Sequence, residues 1–163
     1  MYVVTGDTVY HSDPYNFDTF RFDNQWLRFP GQVVMFEAVN DGIYVGTSQA
    51  VSFLPGDRPD KFVPVDIFDY GVIDGTAVRT EAAFFDTQAQ GEDAGEQPRP
   101  AVAWTSKQGV CVGRDGGAAV NLTETKYSFP AAERGAGLIR QDRGYITYIS
   151  ALQGTSTANN SYT

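Results

Sequence analysis

The chain has 163 residues, of which 20% are charged and 13% are aromatic, and its net charge at neutral pH is −8. This length suits one domain with its own core, and the negative charge disfavours binding to phosphate backbones, which calls for clustered Lys and Arg. The only cysteine, Cys111, excludes a disulfide framework or a Cys-rich zinc site, and its valine neighbours predict a buried thiol. Because no apolar run is long enough to span a membrane and the N-terminus lacks signal-peptide features, we expect a soluble chain without membrane insertion.

In the first half of the chain, short apolar or alternating runs are separated by turn residues, which is typical of antiparallel strands. Asn40-Asp41-Gly42 is a strong hairpin signal, because these residue types tolerate positive φ. Pro64 favours an edge or bulged position for its strand. Residues 15–29 have irregular spacing and few strand signals. The predicted strands are 2–5, 8–12, 32–39, 43–47, 50–54, 61–68 and 76–85.

The second half begins with a polar segment, residues 86–100, which contains no large apolar side chain. It predicts a mobile surface loop over 87–100. Only residues 131–136 are compatible with a single helical turn, and residues 153–163 form a polar tail. The further predicted strands are 101–105, 110–113, 118–123, 137–140 and 145–152. The class is therefore all-β, with one domain over residues 1–152.

An internal repeat relates two parts of this domain. Gly42-Ile43-Tyr44-Val45-Gly46 matches Gly109-Val110-Cys111-Val112-Gly113, and an apolar strand precedes and follows each copy. Each copy is a β-meander, at about residues 32–70 and 76–123, and repeated meanders are typical of propeller blades. A closed propeller needs about four or more blades. We therefore expect antiparallel meanders that resemble the blades of an incomplete or open β-propeller.

The chemistry-bearing residues do not form a recognisable catalytic pattern. His11 is the sole histidine, and most carboxylates lie beside Gly, Pro or Asn, where turn formation explains them. The spacing of Asp66, Asp69 and Asp74 does not match an EF-hand loop. Residues 113–117 lack the Lys-Ser/Thr of a phosphate loop. We expect no catalytic centre, no cofactor and no metal site.

Contact surfaces are predicted at both ends of the chain. Aromatic residues crowd the first part of the sequence, and aromatic side chains anchor interfaces. The strands 2–5 and 145–152 carry neither charge nor proline, so we expect them to pair with each other or, as we favour, with another chain. The candidate interface residues are Tyr15, Phe17, Phe20, Trp26, Tyr145, Ile146, Tyr148 and Ile149.

The order of these elements resembles one protein family. Residues 8–20, TVYHSDPYNFDTF, are similar to the apolar-Tyr-x-Ser-Asp/Glu-Pro…Phe stretch of propeller-type bacteriophage tail proteins, which include the nozzle (tail tubular) proteins. The segments 33–54 and 101–122 also resemble motifs of that family. The resemblance implies a structural subunit of a phage tail, a nozzle or tail-tip adaptor component. Its partners would be copies of itself and other virion tail proteins, with no sequence-specific nucleic-acid binding, and it would reside in the virion after synthesis in the host cytoplasm.

Two other functions remain open. A carbohydrate- or receptor-binding module would recognise a host surface through exposed aromatic residues and loop carboxylates. A glycan hydrolase domain would use paired carboxylates, although the Ser-x-Asp-x-Gly-x-x-Trp box of sialidase-type propellers is absent.

Overall fold

A computed structural model of the chain describes residues 1–81, 99–124, 126, 132–142 and 145–154. Over these residues the regular structure is β-strand apart from single 3-10 turns, and the named strands pair antiparallel, so the all-β prediction is confirmed. Of the predicted loop 87–100, only Arg99 and Pro100 are described, and Pro100 begins a strand. Of the predicted tail, Gln153 and Gly154 belong to the last strand. The remainder of both segments lies outside the described residues.

The N-terminal sheet contains four strands: β1 (Tyr2–Thr5), β2 (Thr8–Asp13), β3 (Asn16–Phe20) and β4 (Trp26–Arg28). Strand β2 is central and pairs with each of the others. Strands β3 and β4 lie in the segment 15–29, whose sequence has irregular spacing and few strand signals. The signals are weak because both strands are short, and because β3 joins β2 through a register shift that breaks the alternation of side chains.

The central sheet has the order β5 (Val33–Val39), β6 (Gly42–Thr47), β7 (Val51–Pro55) and β8 (Val65–Phe68). The predicted hairpin turn at residues 40–41 joins β5 to β6. The predicted strand 61–68 is correct only from residue 65. Residues Pro59–Lys61 instead form a 3-10 turn, and the strand begins directly after Pro64, which has no N–H to donate to a ladder.

The second sheet has the order β9 (Val78–Glu81), β10 (Pro100–Ser106), β11 (Gly109–Gly113) and β12 (Ala119–Asn121). A separate hairpin follows, formed by β13 (Ala132–Asp142) and β14 (Tyr145–Gly154). The backbone N–H groups of Gly135 and Gly137 donate to the carbonyls of Asp74 and Gly75, at 2.7 and 3.1 Å, and so attach this hairpin to the rest of the domain.

The structure decides against two alternatives that the sequence left open for the C-terminal part. The residues proposed for a helical turn lie in β13 from Ala132 onward, where pairing with β14 satisfies the backbone. The strand 145–152 does not pair with 2–5, because β1 pairs with β2 and β14 pairs with β13. Pairing of either edge with another chain stays a prediction.

The central sheet is buried on both faces, and this explains why all six residues of β6 are buried. On one face Ile43, Val45 and Leu54 pack with Val9 and Phe29 of the N-terminal part. On the opposite face Tyr44 and Phe53 join a cluster with Trp104 and Cys111 of the second sheet. The three sheets are therefore stacked, and β6 is a two-sided core strand rather than the half-exposed strand of a simple meander.

The repeated segments form equivalent meanders, β5–β6–β7 and β10–β11–β12, as the sequence predicts. Their packing is that of a sandwich. Tyr44 and Cys111, which are equivalent in the repeat, lie in the same cluster, so the same face of each meander points to the other. Radial repetition would instead set the front of one blade against the back of the next. The expected propeller arrangement is thus not confirmed.

Hydrogen bonds at the ends of the strands give the relative direction of the two meanders. The backbone N–H of Asn40 donates to Asp115, and the backbone N–H of Gly116 donates to Asp41, at 3.0 and 2.7 Å. These contacts set the β5–β6 turn beside the β11–β12 turn. Because β5 ends where β11 ends and β10 runs opposite to β11, the equivalent strands β5 and β10 run in opposite directions.

Replacing Gly113 with alanine should lower the free energy of unfolding by about 1–3 kcal/mol. A Cβ at Gly113 would lie 2.7 Å from Cζ of Tyr44. The Tyr44 ring cannot swing away without losing two bonds, because its hydroxyl donates to the Arg114 carbonyl at 2.6 Å and accepts from the Arg114 N–H at 3.1 Å. Urea unfolding measures the effect.

The same Gly113→Ala change should lower the free energy of unfolding much less in a Tyr44→Leu background, because the ring that a Cβ would clash with is absent there. Equal costs in both backgrounds would contradict the proposed clash.

Candidate functional site: the N-terminal sheet and its cleft

The outer face of the N-terminal sheet carries an exposed aromatic row. Val9 of β2 is buried against the central sheet, so its neighbour Tyr10 points to the other side. Val3 and Trp26 lie opposite Tyr10 on the adjacent strands, and Phe22 packs edge-on against Tyr10 with ring centroids 5.4 Å apart. Phe22 is 72% exposed and Trp26 is 45% exposed. We call Val3, Tyr10, Phe22 and Trp26 the outer patch.

The inner side of the same sheet borders a cleft of about 530 Å³. One wall is the tip of the β2–β3 hairpin, with Tyr15 and Phe17, and the opposite wall is the loop at residues 57–60. The N-terminal strands and the loop before β8 are distant in sequence, so only the packing of the N-terminal sheet on the central sheet creates this space. We call it the cleft.

His11 forms part of the cleft and is only 8% exposed. Its Nδ1 lies 3.3 Å from the carbonyl oxygen of Ser12. A carbonyl accepts, so Nδ1 carries the proton in this contact, and in the neutral ring Nε2 is then an acceptor. A residue that borders the cleft thus carries one acceptor nitrogen when its ring is neutral.

A buried polar network holds the hairpin wall in place. The side-chain N–H of Gln25 donates to the Asp13 carboxylate, and its side-chain oxygen accepts from the backbone N–H of Arg21 at 2.7 Å. The Arg21 guanidinium lies 3.2 Å from the same carboxylate. Gln25 is buried, and a buried amide whose oxygen and nitrogen are both bonded rigidifies its surroundings. The charge of Asp13 is therefore already matched before any ligand arrives.

The opposite wall is built from Asp57, Arg58 and Asp60. The Arg58 guanidinium forms two hydrogen bonds to Asp60, at 3.3 and 3.0 Å, and these bonds hold the pKa of the Asp60 carboxyl below its usual range. Burial, and then the nearby Asp57 charge, raises the pKa of Tyr2 on the floor of the cleft. Asp57 is the acidic group of this wall that no described arginine neutralises.

Tyr15 stands at the lip of the cleft in an unusual conformation. Its φ is +62°, and it is the only non-glycine residue with positive φ among the described residues. It follows Pro14, at the turn position where glycine or asparagine is the usual choice. Its side chain is 97% exposed, so no packing contact within the described chain compensates for this strain.

The predicted interface residues do not form one surface. Tyr15 and Phe17 border the cleft, Trp26 lies in the outer patch, and Phe20 is half-buried on β3. Ile149 is exposed opposite an exposed Leu138 on the hairpin β13–β14. The side chains of Tyr145 and Ile146 lie outside the described residues.

Tyr148 has a structural role that the sequence did not suggest. Its hydroxyl donates to the Thr76 carbonyl at 2.8 Å and bonds Thr105 Oγ1 at 2.9 Å. It therefore fastens the hairpin β13–β14 to the second sheet.

Some residues of both sites were not predicted as site residues. The position of Tyr10 in the outer patch follows from the alternation along β2, a signal that is present in the sequence. Phe22 lies in the turn between β3 and β4 and joins the patch through its ring contact with Tyr10. The joining of His11 with residues 57–60 has no local signal, because it depends on the stacking of two sheets.

The strongest nucleophile in the chain is not available for chemistry. Cys111 is fully buried, and burial raises the pKa of its thiol to about 11. The thiol is therefore protonated at neutral pH, and a protonated, enclosed sulfur does not attack a substrate. The exposed groups at the cleft and the outer patch are suited to non-covalent contact.

Comparisons with known proteins do not assign a family. No protein-family model matches the sequence, and no curated protein or solved structure matches it either. Across the described ranges, no helix is long and apolar enough to cross a membrane. In the same part of the chain, no three metal-ligating side chains come together.

Proposed function

We propose that the chain is a non-catalytic structural subunit of a bacteriophage tail, a nozzle or tail-tip component that acts by assembly with neighbouring virion subunits. The motifs at residues 8–20, 33–54 and 101–122, which resemble those of phage tail proteins, support this proposal. The outer patch is the observation that carries it. The chain would be made in the host cytoplasm and function in the virion, where its partners are copies of itself and other tail proteins.

The outer patch has the chemistry of a protein interface. Val3, Tyr10 and Trp26 lie side by side on three adjacent strands, and Phe22 packs on Tyr10 from the turn between β3 and β4. Phe22, Trp26 and Val3 are 72%, 45% and 40% exposed. Contiguous exposed apolar surface on a soluble protein marks an interaction site, and aromatic residues dominate the energy of interfaces. Burying this row against a neighbouring subunit removes apolar area from water, which favours association.

A second exposed region supports contacts at the other end of the stack. Leu138 and Ile149 are cross-strand partners on the hairpin β13–β14, and they are 60% and 49% exposed. Among the described strands, β14 pairs only with β13. Its ten residues include no charged side chain and no proline, so the devices that protect a free edge from pairing are missing there. A subunit with two separate contact regions is suited to rings and tubes.

Phe22→Ser combined with Trp26→Ser should weaken self-association at least about tenfold, because both anchors of the outer patch lose their apolar area. Sedimentation over a range of protein concentrations gives the mass of the particle in solution and therefore measures the change in self-association. We expect wild-type protein to form a discrete oligomer and the double variant to dissociate at concentrations where wild type does not.

Val120→Ser is the matched control, because Val120 is 42% exposed, close to the exposure of Trp26, but lies on β12 of the second sheet. It should leave the mass unchanged. A wild-type protein that remains monomeric at its highest soluble concentration would contradict assembly through this patch.

A further inference from the structure

We propose that the cleft between the β2–β3 turn and residues 57–60 binds an uncharged saccharide. This goes beyond the proposed assembly role, because the cleft lies on the inner side of the N-terminal sheet and shares no residue with the outer patch. Its volume of about 530 Å³ lies in the range typical of ligand pockets, roughly 300–1,000 Å³.

Two aromatic rings at the lip provide flat apolar surfaces. Tyr15 and Phe17 are 97% and 62% exposed, and both border the cleft. A pyranose ring presents a face of C–H groups, and an exposed aromatic ring covers such a face while leaving the hydroxyls at the ring edge free. The chain holds Tyr15 at a φ of +62°, and strain at an exposed, bulky residue is characteristic of binding and active sites.

The polar groups around the cleft match hydroxyl groups. Nε2 of His11 is an acceptor when Nδ1 donates to Ser12, and the Asp57 carboxylate accepts from several hydroxyls at once. The Arg58 guanidinium offers N–H donors beyond those that bond Asp60. A sugar hydroxyl both donates and accepts, so this mixture of acceptors and donors is satisfied by a polyol.

The charge of the cleft selects against ionic ligands. Asp13 is matched by Arg21, and Asp60 is matched by Arg58, at 3.2 and 3.0 Å. These pairs leave the Asp57 carboxylate and the N-terminal ammonium of Met1, which also borders the cleft and donates to Ser12 Oγ at 2.8 Å, so the charges around the cleft balance. A cleft without net charge attracts neither phosphate, sulfate and sialic acid nor a polycationic peptide. A neutral saccharide needs neither a cluster of cations nor a cluster of anions.

The test is binding of the labelled full chain to an array that carries neutral and acidic glycans, with a Lys-rich peptide as an additional probe. We expect retention on at least one class of neutral glycan and none on the sialylated or sulfated members. Titration of that glycan into ¹⁵N-labelled protein should shift the amide signals of residues 11–17 and 57–60. Absence of binding to every neutral glycan, or binding to the acidic glycans or the peptide alone, would overturn the proposal.

Tyr15→Asn provides a variant that cannot fail simply by misfolding, because asparagine tolerates positive φ better than tyrosine. Its urea midpoint should be unchanged or higher, while its affinity for the neutral glycan should fall at least about tenfold. Val120→Ser, which lies far from the cleft, should bind as wild type does.

The oligomeric mass of Tyr15→Asn should equal that of wild type, so the outcome for the glycan site is separable from the outcome for assembly. Full glycan affinity in Tyr15→Asn would exclude the cleft as the binding site.

Discussion

Replacing Trp104 with alanine should lower the free energy of unfolding by about 3–5 kcal/mol, the range for truncating a large buried aromatic residue. Trp104 is completely buried between the central and second sheets. Its ring packs against Tyr44 and Phe68, with centroid distances of 5.9 and 6.2 Å. Because each sheet is anchored by its own ladder, the sheets cannot close on the space left by the indole, and the cavity persists. Urea unfolding followed by circular dichroism measures the change.

Trp104→Phe should cost less than about 1.5 kcal/mol, because an aromatic ring of smaller size keeps most of the contacts. It also removes Nε1–H of Trp104, which is buried and has no hydrogen-bond partner among the described residues. Burying a donor without a partner costs about 1–3 kcal/mol, so its removal offsets part of the lost packing. A phenylalanine variant as unstable as the alanine variant would show that indole size, and not aromatic contact alone, maintains the separation of the sheets.

Local chemistry made much of the strand pattern predictable. The turn at Asn40 and Asp41 was readable because those side chains tolerate turn geometry, and burial of Cys111 was readable from its apolar neighbours. The equivalence of Gly42–Gly46 with Gly109–Gly113 correctly predicted two meanders, since the glycines mark strand ends in both copies. All of these signals act over fewer than about ten residues, the scale at which turn and strand preferences operate.

Which sheets pack against each other could not be predicted from such local signals. A repeated meander is compatible with a propeller or with a sandwich. The alternation of side chains indicates which residues are buried, but it does not indicate which other sheet packs against them. The choice depends on contacts such as Asn40 with Asp115, which join residues far apart in sequence. The cleft has the same origin, because His11 and residues 57–60 meet only when the N-terminal sheet packs on the central sheet. The strands β3 and β4 were not predicted, for a local reason. They contain only five and three residues, which are too few to establish an alternation of apolar and polar side chains.

Raising the pH from 8 to 11 should lower the free energy of unfolding by at least about 2 kcal/mol, because buried acids ionise more readily in the unfolded chain. Burial raises the pKa of Cys111 from 9.0 to about 11 and that of Tyr70 from 10.0 to about 12. Burial also raises the pKa of Tyr44 well above its ordinary value of 10.0. Each group keeps its proton to a higher pH in the folded state than in the unfolded state. The stability that the protonated group contributes is therefore fully present at pH values below its pKa in the unfolded chain.

That contribution is lost as the pH rises from about 9, where the unfolded thiol ionises, toward the folded pKa values. Over two pKa units the thiol alone accounts for about 2–3 kcal/mol, and the more exposed Tyr70 adds a smaller share. Cys111→Ala should therefore be less stable than wild type at pH 8, because of its cavity, but should lose less stability between pH 9 and pH 11. Parallel curves for the two proteins over this interval would show that the thiol is not the group whose burial opposes ionisation, and that the alkaline loss comes from the tyrosines.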